Sequence, residues 1–175
     1  MMSCPSDPSH SRRQKLLFFL SSAGIVVATY ALHVERMLET PPLDYEPYCS
    51  TRWGSCTTVF TSSYAHILSH WGLVEQNSDY DISLSVAGIL NYSIYLIYPF
   101  TAGLVPNRKF YLFAISTTGV LFSCYLIYIL KFILREFCFV CAMFHVINFA
   151  TFFFVALPEL ASANMTTAAR HRKNE

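Results

Sequence analysis

Charged residues fall into a few short clusters along the chain, and long stretches between them are apolar. No Lys, Arg, Asp or Glu lies from Leu16 to Val34, Ile82 to Asn107, Phe110 to Leu130, or Phe137 to Pro158. Each run is about the ~20 residues that an α-helix needs to cross ~30 Å of hydrocarbon. The pattern predicts an all-α membrane protein, a four-transmembrane-helix bundle with a luminal loop and half-helix cap. A cleaved signal peptide is the alternative for the first run, since Arg12, Arg13 and Lys15 precede it, but the run outlasts the usual signal core. In the loop after it, Pro41, Pro42 and Pro47 impose extended or turning backbone. From Ser55 onward Val59, Phe60, Tyr64, Ile67 and Leu68 approach helical spacing, which predicts one short amphipathic helix at the membrane mouth. Trp53 and Trp71 suit an interfacial place beside it. The expected divisions are a tail over 1–15, a transmembrane catalytic domain over 16–158 with its loop at 35–81, and a second tail over 159–175.

Composition supports the membrane. Charged residues make up 13% of the chain, against roughly 25% in soluble domains, and a soluble domain of this length could not hide 15 Phe and 11 Tyr. A net charge of +1 offers nothing to nucleic acid. Arg12, Arg13, Lys15, Arg108, Lys109, Arg170, Arg172 and Lys173 share one side if the chain crosses four times, while Arg36, Arg52, Lys131 and Arg135 hold the other. The positive-inside rule then puts both termini in the cytoplasm. The loop, with Glu35, Glu39, Asp44, Glu46, Glu75, Asp79 and Asp81, faces the lumen. Cys49, Cys56, Cys138 and Cys141 fall on that same oxidising side, where disulfides persist.

Cys138 and Cys141 stand at i and i+3 at the head of the fourth run, with His145 and Asn148 on the next turns of the same face. At a helix N-terminus the free N–H groups and the dipole favour a thiolate, and thiolate governs cysteine reactivity. A pair so placed can attack with one sulfur and be resolved by the other. The competing readings are a structural loop disulfide at Cys49–Cys56, a zinc site borrowing all four cysteines, and a His145 merely bonded to a neighbouring helix. Intramembrane ionisable groups are functional candidates by default, and the reading taken here binds no metal. Cys124 is expected to be an inert small hydrophobe and Cys4 a reduced cytoplasmic thiol. Two pairs on one side suggest an electron relay from a soluble thiol partner, through the loop pair, to Cys138–Cys141 and onward into the bundle. Phe60, Tyr92, Tyr95, Tyr98, Phe139 and Phe144 would make the receiving cavity aromatic, which suits a quinone.

These residues resemble the vitamin K epoxide reductase family, animal branch. The resemblance runs from about Leu16 to Leu157. It rests on Tyr30-Ala31-Leu32-His33-Val34, Ser55-Cys56 with Val59-Phe60, Gly72-Leu73-Val74-Glu75, Gly88, and Phe137-Cys138 through Cys141 with Ile147-Asn148. It implies that Cys141 attacks the substrate and Cys138 resolves it. It further implies that Cys56 exchanges with Cys138, and that Cys49 takes electrons from thioredoxin-like luminal oxidoreductases. Vitamin K epoxide or quinone would be the substrate, with no permanently bound cofactor, and Phe60 would line its pocket together with Gly88 and Phe144.

Three departures from the family pattern matter. His145 stands where the family has a substrate-bonding tyrosine, Leu84 where it has an asparagine, and the loop cysteines are one residue closer than usual. Asn91 lies on the Leu84 face of the helix but about two turns deeper. Binding of 4-hydroxycoumarin anticoagulants should therefore be weakened. A quinone-linked sulfhydryl oxidase and a non-catalytic tetraspan scaffold are the alternative functions. The expected address is the endoplasmic reticulum membrane, with Arg172-Lys173 approximating a retrieval signal and the Asn164-Met165-Thr166 sequon left unmodified.

Overall fold

The computed structural model describes residues 8–39, 45–50, 54–75, 81–101, 104–162 and 165. Cys4, Pro41, Pro42, Asp44, Arg52, Trp53, Asp79, Asn164 and the basic residues of 170–173 lie outside the described residues. The elements are α1 (Pro8–Glu39), α2 (Cys56–Phe60), α3 (Ile67–His70), α4 (Leu84–Ile97), α5 (Arg108–Tyr128) and α6 (Phe139–Thr151). A π-helical turn, Ile129–Leu134, prolongs α5, and another, Phe152–Ala156, prolongs α6. Four helical stretches are long and apolar enough to span a bilayer: His10–Glu39, Leu84–Thr101, Arg108–Leu134 and Phe139–Ser162.

Lipid tails give helices no hydrophobic reason to associate, so small residues that allow close contact must do so. On α1, Ser21, Gly24, Ala28 and Ala31 recur turn by turn and are buried. The Tyr92 ring of α4 lies over Gly24, where an added Cβ would come within 2.6 Å of it. Tyr92 is 1% exposed and stacks on Phe144 of α6 with centroids 5.7 Å apart, so one ring joins three helices. Phe19, Val26, Leu90, Leu121, Val146 and Phe154 form part of the exposed apolar exterior that a bilayer would cover.

The single amphipathic helix expected after Ser55 is three pieces: α2, a 3-10 turn at Ser63–Ala65, and α3. Ser55 caps α2 by accepting the Thr58 N–H at 3.3 Å. Thr61 and Ser62 then donate their hydroxyls back to the carbonyls of Thr57 and Val59. Such local bonds compete with the helix ladder and end it there. Trp71, half-exposed, donates its indole N–H to the Tyr125 hydroxyl at 3.4 Å.

The fourth span also continues past Pro158, where the charge-free run stops. Glu159 is not a solvated tail residue; it is 3% exposed. Around it lie His10 Nε2 at 3.2 Å, Lys109 Nζ at 3.4 Å and Arg13 Nε at 3.5 Å. Arg13 also donates to the Pro158 carbonyl at 2.9 Å. One carboxylate thus gathers the starts of α1 and α5 to the end of the fourth span. Removing one partner of a buried ion pair costs about 3–5 kcal/mol. Glu159→Ala is expected to lose about 3 kcal/mol, towards the low end because the cations are partly solvated. Thermal unfolding in detergent measures this, and an unchanged midpoint would mean that water satisfies the cations instead.

Candidate active site

Cys49 and Cys56 form a disulfide with a Cα–Cα separation of 5.8 Å. Cys56 opens α2 and is fully buried. Its segment is seated on the turn before α6 by two neighbouring contacts. Ser55 N–H donates to Glu136 Oε2 at 3.1 Å, and Gly54 passes so close to the Phe137 carbonyl that any Cβ would collide with it. Arg135 makes that turn possible by taking a left-handed conformation (φ 54°), and Glu136 N–H closes it onto the Leu130 carbonyl at 3.1 Å.

Seated there, Cys56 Sγ lies 3.6 Å from Cys138 Sγ, although 82 residues separate them. Cys138 and Cys141 are free thiols. They do not share the face of one helix, as their spacing suggests, because Cys138 is the cap of α6. Its backbone is extended (φ −108°, ψ 117°), and its sulfur accepts the Cys141 N–H at 3.4 Å. The hydrogen bond from the Cys141 thiol, helped by the N–H groups of Cys141 and Val140, holds the Cys138 thiol below its ordinary pKa against the opposing effect of burial.

Cys141 opens onto a cavity of about 340 Å³ between α4, α5 and α6, within the ~300–1,000 Å³ range of small-molecule pockets. The structure brings His145, Phe144, Phe60, Leu84, Gly88 and Asn91 into its wall. Gly88 lets the Phe144 ring lie against α4, since a Cβ there would come 2.9 Å from it. Phe139 is not in the wall; it is 58% exposed on the bundle exterior. Tyr98 lies elsewhere too, under the Arg108 guanidinium at 5.1 Å. Cys124 is exposed on α5.

The polar floor of this cavity is only partly legible in the sequence. Asn148 donates to Ser123 at 2.9 Å and accepts from the Tyr92 hydroxyl at 3.0 Å, so its carboxamide is held on both sides. The Asn148 spacing from His145 was a signal, but Ser123 on α5 carried none. His145 is the contrast: 8% exposed, it has no hydrogen-bond partner on either ring nitrogen among the described residues.

These features define a four-span membrane bundle in which one cysteine pair touches a second pair that opens on an apolar pocket. Residues 15–156 match the vitamin K epoxide reductase family, and the chain belongs to it. It is 33% identical over 141 residues to the rat vitamin K epoxide reductase complex subunit 1, covering 77% of this chain and 83% of that one. The mouse protein of the same name is 32% identical over 136 residues, covering 74% and 80%.

Overpacking a close contact costs about 1–3 kcal/mol, so Gly54→Ala should part the Cys56 and Cys138 sulfurs. In a Cys49→Ala background, the yield of Cys56–Cys138 cross-link on non-reducing gels is expected to fall on the order of tenfold. An undiminished yield would show that the loop does not need this approach.

Proposed function

We propose that this chain reduces vitamin K, as epoxide or quinone, with electrons passed between its two cysteine pairs. The observation that carries the reading is the 3.6 Å contact between Cys56 and Cys138, because Cys141 beside it lines the cavity. Cys141 thiolate attacks the bound epoxide, and Cys138 then displaces the adduct. The products are the Cys138–Cys141 disulfide, the quinone, and the epoxide oxygen as water. Reducing the quinone to the hydroquinone consumes a second dithiol in the same way. Cys56 thiolate next attacks Cys138 and releases Cys141, Cys49 displaces Cys138 from Cys56, and an external dithiol reopens Cys49–Cys56. Thioredoxin-like proteins of the endoplasmic reticulum lumen fit that last role, with both termini cytoplasmic and the loop luminal. The reverse direction, a quinone-linked sulfhydryl oxidase, uses the same contact; the relative potentials of the pairs decide between them.

His145 is free to donate a hydrogen bond to a substrate oxygen, and Leu84 is not. Losing one such donor costs about 10²–10³ in rate, so the quinone is the better substrate and the epoxide the poorer one. The test is dithiol-driven turnover in microsomes with each substrate offered separately. Cys141→Ala is expected to abolish activity on both; activity that survives it would discard the mechanism. Leu84→Asn is expected to raise epoxide turnover by about 10² and to tighten inhibition by a 4-hydroxycoumarin. Equal inhibition of the two proteins would remove Leu84 from the account.

A further inference from the structure

A second cluster of ligand-type side chains lies away from the cysteines, where the cap meets the end of α1. Glu35 and Glu39 are one turn apart on α1, and His66 enters from the segment between the 3-10 turn and α3. One ligand atom from each of the three lies within 4.8 Å of the others. We propose that Glu35, Glu39 and His66 bind a divalent transition-metal ion, with Zn²⁺ the best match, and that the ion clips the cap to α1.

The spacing fits two ligands of one ion. His66 Nε2 stands 3.4 Å from Glu35 Oε1. A charge-assisted N–H···O bond would close to about 2.7–2.9 Å. Two ligands on a tetrahedral ion with bonds of about 2.0–2.2 Å sit roughly 3.4 Å apart. Behind the imidazole, Nδ1 faces Asp81 Oδ2 at 3.3 Å, and Asp81 is itself held by the Ser69 N–H at 3.3 Å. A carboxylate behind the second nitrogen is how metal-ligating histidines are oriented, and Asp81 stands in that place without closing to a hydrogen bond.

Charge points the same way. Glu35 is 4% exposed, and the ion pair it makes among the described residues is with His66. Glu39, one helical turn away, adds like-charge repulsion. A dication relieves both carboxylates at once. Imidazole with carboxylate suits Zn²⁺ over the oxygen-seeking Ca²⁺ and Mg²⁺, and exposed Glu39 leaves a way in and a position for water. Beneath the site, Glu35, Phe60, Ala65 and Cys141 line one small cavity, so the clip sits above the active cysteine.

The test uses the untagged full chain in detergent, with Cys4, Cys124, Cys138 and Cys141 changed to serine so that thiols do not compete. Zn²⁺ is titrated by calorimetry and Co²⁺ by visible absorption. One equivalent per chain is expected, with Ca²⁺ failing to compete and Zn²⁺ raising the unfolding temperature. His66→Gln and Glu39→Gln should each weaken binding by more than about 100-fold, and Asp81→Asn by about 10–100-fold. Glu39 is exposed, so its variant keeps the fold. Absence of binding in the parent, or binding that ignores Glu39→Gln and His66→Gln, would overturn the proposal.

Discussion

Thiol–disulfide exchange needs sulfurs in contact, and in this protein the contact joins two segments far apart in the chain. Most of the local structure around the mouth of α6 serves that approach. Gly54 contributes the missing Cβ, Ser55 and Glu136 a hydrogen bond, and Arg135 a left-handed residue that turns the chain back after the π-helical extension of α5. Cys138 could not sit within sulfur contact of Cys56 and also cap its own helix if that turn took another path. The cap in turn places Cys141 one turn deeper, on the cavity side.

Inside the bundle the constraint is that polar groups have no water to fall back on. The Tyr92–Asn148–Ser123 chain satisfies its members across three helices and fixes the cavity floor. His145 stays outside that network, with both nitrogens unpartnered among the described residues. A buried donor left open is costly, and the cost becomes useful only when a ligand oxygen fills the vacancy. Leu84, in the same wall, offers no donor to a ligand.

Charge closes the bundle at both ends, and small residues close it along its length. At one end Glu159 collects cations from α1 and α5; at the other His66 of the cap lies between Glu35 and Asp81. Between them the Gly24–Ala28–Ala31 seam lets α1 and α4 approach as closely as Tyr92 permits. The ends supply direction and register that apolar helices in lipid would not find by hydrophobicity alone.

Spans were legible in the sequence because a bilayer excludes charge, so a charge-free run of the right length has few other uses. Cys138, Cys141 and His145 were legible from their local spacing, Cys49 and Cys56 from their place in the polar loop, and Phe144 from the aromatic character of its segment. Leu84 and Gly88 were legible only through the family resemblance. Where spacing had to choose between faces or ends, tertiary structure decided. Cys138 caps its helix instead of sharing a face with Cys141, and Phe139 turns outward. The cap breaks at Thr61-Ser62, and Glu159 is buried rather than solvated. The places of Cys138 and Glu159 depend on partners distant in sequence, Cys56 and Arg13, whereas the cap breaks on local hydroxyl bonds at Thr61-Ser62. Hydrophobic periodicity carries no information about either kind of contact.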